Sequence, residues 1–136
     1  MRNVSRVVLK APVEDVWKFV GEPYHLSDWW PGVTGVLPDR RGMAAGARWK
    51  VMGPSYVRRE ATPAMLVVHA VVPRERFAFE LVKDGISADI LLEPVAADRT
   101  EVTVVVEGRF VLGTRRTLAK KAAHRLYDLI QTGAGL

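Results

Sequence analysis

The stretch from Thr114 to Gln131 constrains this chain more than any other. It is the one long amphipathic helix pattern, and it comes after a long run of strand-like segments. Leu118, Ala119, Ala122, Leu126, Leu129 and Ile130 recur at spacings of three and four, which gathers them on one face. Arg116, Lys120, Lys121, His124, Asp128 and Gln131 fall on the other. Thr114 suits an N-cap, and Gly133 stands where such a helix would stop. A helix of about 18 residues is ~27 Å long, enough to cross a small sheet. The preceding strands are therefore expected to form a surface that holds it.

Those strands follow from alternation. Asn3–Lys10 places Ser5, Val7 and Leu9 on one face. Ala11-Pro12 then changes the period to that of a helix: Val13, Val16, Trp17 and Val20 share a face, Glu14 and Asp15 favour the first turn, and Gly21 ends it. Tyr24–Trp30 predicts a second short helix with Leu26, Trp29 and Trp30 as its apolar residues, stopped by Pro31-Gly32. From Val33 onward the period is mostly two. Val33–Arg40 and Ala47–Gly53 are expected strands, the latter with Trp49 and Val51 on one face. Tyr56–Ala61 fits a loop or an edge strand. Met65–Val72 is apolar on both faces, as a strand covered on both sides would be. Arg76–Val82 groups Phe77, Phe79 and Leu81, and Asp84-Gly85 predicts a hairpin. Ile86–Glu93 groups Ile86, Ala88, Ile90 and Leu92, with Pro94 expected to close the strand. After a turn at Ala97-Asp98, Thr100–Phe110 groups Val102, Val104, Val106 and Phe110. The expectation is one α+β domain over residues 1–136. It has a strongly curved antiparallel sheet of six to seven strands, two short helices after the first strand, and the long C-terminal helix gripped by the sheet.

Several motifs in this order resemble the START-like (SRPBCC) superfamily of helix-grip proteins. Ala11-Pro12-Val13-Glu14-Asp15-Val16-Trp17 is similar to its "A-P-x-E-x-V-W" opening. Asp28-Trp29-Trp30-Pro31-Gly32-Val33 resembles the segment that follows in the bacterial polyketide cyclase/dehydrase branch. Val72-Pro73-Arg74-Glu75-Arg76-Phe77-Ala78-Phe79 resembles that branch's "D-P-P-x-R-L-x-F" stretch, without the aspartate and one proline. Leu92-Glu93-Pro94 and Asp98-Arg99-Thr100-Glu101-Val102-Thr103 resemble its penultimate hairpin. The resemblance implies an apolar cavity that holds a lipid, polyketide, isoprenoid or other hydrophobic small molecule. It supplies no universal catalytic residue.

Residue chemistry narrows the rest. The expected ligand-facing set is Trp29, Trp30, Trp49, Val51, His69, Phe77, Phe79, Ile90, Leu92, Val104 and Leu118. The tryptophan pair either plugs one end of the core or lines the rim of the pocket. His69 shares a strand face with Met65, Val67 and Val71. It is either a half-buried structural histidine or a general base in an apolar cavity. Tyr56 and Arg58 are the other catalytic candidates, because arginines and tyrosines in related cyclases hold a polyketide chain. No motif fixes that role on them. Glu80, Asp89, Glu93 and Glu107 fall on outward faces. With no cysteine, and with His25, His69 and His124 on separate elements, neither a metal nor a cofactor is expected.

The net charge of +5 comes from scattered pairs such as Arg40-Arg41, Arg58-Arg59, Arg115-Arg116 and Lys120-Lys121. No block of like charge or row of interleaved aromatics points to nucleic acid. A weak contact with an anionic membrane surface is compatible with the basic helix. No apolar run reaches the ~20 residues of a membrane span, and no stretch at the N-terminus has the form of a signal peptide. The cytoplasm is the expected compartment. The favoured function is binding of a hydrophobic small molecule. The alternatives are a polyketide cyclase/aromatase-type enzyme performing aldol closure or dehydration, and an interaction module with a ribosomal, membrane or quinone partner.

Overall fold

The first strand, β1 (Arg2–Leu9), leads through Ala11-Pro12 into helix α1 (Val13–Val20). The computed structural model describes residues 2–53, 64–108 and 117–134. Val16 and Val20 are buried and Trp17 is half-buried, as the helical spacing requires. The predicted second helix is divided into a 3-10 turn at Pro23–His25 and one α turn, α2 (Leu26–Trp29). The Glu22 carboxylate accepts the Tyr24 N–H at 3.3 Å and opens this segment. Six strands follow: β2 (Gly35–Leu37), β3 (Arg48–Met52), β4 (Ala64–Val72), β5 (Arg76–Leu81), β6 (Ile86–Ala96) and β7 (Arg99–Gly108). Helix α3 (Leu118–Ala134) comes last. The strands form one antiparallel sheet in the order β1-β7-β6-β5-β4-β3-β2. The helix-grip arrangement expected from the sequence is the one observed.

Alternation holds across the sheet. Trp49, Val51, Phe77, Phe79, Leu81, Ile86, Ala88, Ile90, Leu92, Val102, Val104 and Val106 are all buried on the inner face. Helix α3 buries Leu118, Ala119, Ala122, Ala123, Leu126 and Ile130 and exposes Lys120, Lys121, His124, Arg125 and Asp128. It lies against β1, β7 and α2. Its C-terminal part is tied to the end of β1, where the Lys10 N–H donates to Gln131 Oε1 at 3.1 Å.

The departures from expectation have local causes. The strand predicted at Val33–Arg40 is reduced to Gly35–Leu37. Asp39 turns the chain aside, its carboxylate accepting backbone N–H groups from Arg41, Gly42 and Arg48 at 3.1, 3.2 and 2.9 Å. Strand β4 is not covered on both faces: Met65 and Val72 are 42% and 41% exposed. A bulge between Val68 and Ala70 breaks its alternation. Val71 therefore turns inward opposite Phe77, while His69 stays outside. Strand β6 runs past Pro94 to Ala96. The Leu92 N–H points toward β5, donating to the Glu75 carbonyl. Two residues on, the Pro94 nitrogen faces the same way, beyond the first residue of β5, so no ladder bond is lost. Helix α3 also contains Gly133 rather than stopping before it. One glycine in a last turn costs ~1 kcal/mol, which the packed helix absorbs. Thr114, Phe110 and the Tyr56–Ala61 segment lie outside the described residues.

Two substitutions test this account of the fold. Gly53 has φ +144°, and a Cβ there would overlap the Gly32 carbonyl oxygen. Gly42 has φ +59°, with open space where a Cβ would stand. Gly53→Ala should therefore destabilise by at least ~2 kcal/mol, and clearly more than Gly42→Ala, in chemical denaturation. Equal effects would show that the close approach to Gly32 carries no cost.

Asp39 gives a pH signature. The N–H of Arg48, ahead of those of Gly42 and Arg41, holds its carboxyl below the usual 3.8. A depressed folded-state pKa contributes stability that is present above the unfolded value and lost as pH falls through the folded one. The melting-temperature difference between the parent chain and Asp39→Asn should thus be largest above about pH 5 and shrink in acid. A difference that is flat with pH would show that the carboxylate charge plays no part.

Candidate functional site

The inner face of the sheet is unevenly covered. Helix α3 occupies the side of β1 and β7. Toward β5 and β3 the inner face carries large rings instead. They form one continuous file. Trp29 meets Trp30 edge-on at 5.9 Å between ring centroids, and Trp30 meets Phe79 edge-on at 5.0 Å. Phe79 lies 4.9 Å from Phe77, and Phe77 stacks on Trp49 at 5.7 Å. Each such pair contributes ~0.5–1.5 kcal/mol beyond the area it buries.

Local sequence sets each ring. Phe77 and Phe79 are two residues apart on β5, and Trp49 faces the same way from β3. Trp29 is the last residue of α2, and Trp30 is its C-cap, already extended at ψ 121°. Its N–H still donates to the Leu26 carbonyl at 2.8 Å. Gly32, at φ +85°, then turns the chain back toward β2.

The polar ends of the three inner tryptophans differ. Trp49 Nε1 donates to the Gly42 carbonyl at 2.8 Å and so ties the loop held by Asp39 to the core. Trp29 and Trp30 are both 0% exposed. Their Nε1 atoms find no hydrogen-bond partner among the described residues. A buried donor left unpaired costs ~1–3 kcal/mol, so two such donors side by side are a cost the fold carries. Among the described residues the buried side chains are otherwise nearly all apolar. Of the buried polar side chains, Thr100 donates to the Ala11 carbonyl at 2.9 Å, and Asp84 belongs to the turn between β5 and β6.

The expected ligand-facing residues separate as follows. Trp29, Trp30, Trp49, Val51, Phe77, Phe79, Ile90, Leu92, Val104 and Leu118 all lie in the buried core. Trp29 and Trp30 are enclosed rather than rim-forming. His69 is on the opposite face, its side chain 53% exposed and Nε2 3.3 Å from Glu80 Oε2. The bulge explains why simple alternation misplaces it beside Val71. Tyr56 and Arg58 lie outside the described residues. Among the described residues no three His, Asp or Glu side chains come together as a metal site.

The outer face carries a concavity of about 270 Å³, lined by Arg2, His69, Arg76, Ser87, Asp89 and Glu107 among others. The Arg76 guanidinium holds Asp89 with two nitrogens, at 2.9 and 2.8 Å. Arg2 pairs with Glu107 at 3.6 Å. Acids expected to point outward do so here, each beside a cation. Exposed pairs of this kind contribute ~0–1 kcal/mol, and they leave the groove nearly neutral.

Comparison with known proteins adds the following. No curated protein matches the chain. Among solved structures, the protein XoxI from Bacillus cereus is 10% identical, with 98% of this chain and 97% of that one covered and a TM-score of 0.75. A START superfamily protein from Mycobacterium smegmatis is 15% identical over 96% of this chain and 97% of that one, with a TM-score of 0.72. The di-domain ARO/CYC BexL of the BE-7585A biosynthetic pathway is 16% identical, with all of this chain matching 48% of that one at a TM-score of 0.73. These likenesses establish the fold. A family model described as polyketide cyclase/dehydrase and lipid transport matches residues 1–131. A sheet gripping a C-terminal helix, two short helices after the first strand and a match over nearly the whole sequence agree: the chain belongs to the polyketide cyclase/dehydrase and lipid transport family.

Proposed function

We propose that the chain binds a hydrophobic small molecule of lipid, polyketide or isoprenoid type on the inner side of its sheet, beside α3. The file of rings from Trp29 to Trp49 carries this reading. Side chains, rather than a second backbone element, build that part of the interior. Rings can repack around an occupant without breaking a ladder of backbone hydrogen bonds. The family description, which includes lipid transport, is compatible with it.

The cyclase reading needs a group that moves protons on the inner side. His69, the histidine suited to that task by residue type, sits outside beside Glu80. No described residue favours turnover over binding.

Two measurements test the proposal together. Gently extracted protein is expected to carry an apolar molecule visible by native mass spectrometry, or to take up N-phenylnaphthylamine with quenching of tryptophan emission. Absence of both would reject the proposal. His69→Ala should leave dye affinity within about twofold of the parent, since surface changes are worth within ±0.5 kcal/mol. A larger loss would move the site to the outer face.

A further inference from the structure

Two neutral donors wait in an apolar interior. Trp29 Nε1 and Trp30 Nε1 are enclosed and have no acceptor among the described residues. The contrast with Trp49, whose Nε1 reaches the Gly42 carbonyl, shows what a satisfied indole looks like in the same core. The edge-on contacts of Trp30 with Trp29 and Phe79 offer the donors at most aromatic faces. An aromatic face is a weaker acceptor than a carbonyl oxygen. An apolar ligand alone would leave this cost in place. A ligand bringing an acceptor oxygen would remove it.

Resting on the binding proposed above, we propose that Trp29 and Trp30 are the polar anchor of the site, and that the ligand is an uncharged apolar molecule with a carbonyl oxygen. The charge state follows from the surroundings. The indole N–H is a neutral donor. The described charged pairs nearest the sheet, Arg76–Asp89, Arg2–Glu107 and His69–Glu80, stand on its outer face. A carboxylate brought among these rings would lose its hydration without gaining a counter-charge among the described residues. The anchor lies at the end of the ring file that α2 supplies, so the carbonyl sits near α2 and the apolar part runs along Phe79 and Phe77. Because both indole nitrogens are enclosed, the occupant reaches them by displacing neighbouring rings.

Three probes of similar length test the anchor: methyl undecyl ketone, tridecane and dodecanoate. None has a ring, so none adds ring-current shifts of its own. Proton–nitrogen correlation spectra follow the indole groups of Trp29, Trp30 and Trp49 during titration. The ketone is expected to bind at least about tenfold more tightly than tridecane, the worth of satisfying a buried donor. It should move the Trp29 and Trp30 indole protons downfield and leave that of Trp49 in place. Equal affinity for ketone and alkane with unmoved indole protons would overturn the anchor while leaving hydrophobic binding intact. Tighter binding of dodecanoate than of ketone would overturn the uncharged-ligand assignment. Failure of all three to bind would remove the underlying proposal and the anchor with it.

Discussion

Half of the buried face of α3 is alanine. Ala119, Ala122 and Ala123 lie among Leu118, Leu126 and Ile130. Small side chains let a helix come close to its neighbours, and α3 does so against β1, β7 and α2. The rest of the molecule depends on that one close contact. A helix set tightly on one side of a twisted sheet leaves the other side to be filled by something larger. Trp30, Phe79, Phe77 and Trp49 supply that volume, and their burial stabilises the sheet. The proposed site is thus a consequence of where the helix sits.

The order of elements, the strand faces and the buried stripe of α3 are legible in the sequence because they rest on period alone. So is the inward set of Phe77, Phe79, Ile90, Leu92 and Val104. What the sequence hides is local hydrogen bonding. Nothing in the run from Val33 to Arg40 says that Asp39 will capture three N–H groups and end the strand early. Nothing around His69 announces a bulge, and one extra residue is enough to turn Val71 inward while His69 stays outside. Pro94 suggests a strand end only because period does not report which edge a nitrogen faces.

The tryptophan pair is visible as composition and illegible as chemistry. Two adjacent indoles before a Pro-Gly turn suggest a core plug first and a pocket rim second. Only the positions of their nitrogens separate a satisfied core residue from an unpaired donor, and Trp49 shows that the same fold can satisfy one. The outer face has the reverse character. Alternation alone marks its charges as solvated, and they are, but pairing them across strands also leaves the groove nearly neutral.

The central claim is that the ring file, and not the outer groove, receives the ligand. A crystal of the chain soaked with bromododecane measures this directly through the anomalous signal of bromine. The expected result is a bromine peak inside the molecule, within contact distance of Phe77 or Phe79. A peak confined to the groove beside Arg76 and Asp89 would contradict it.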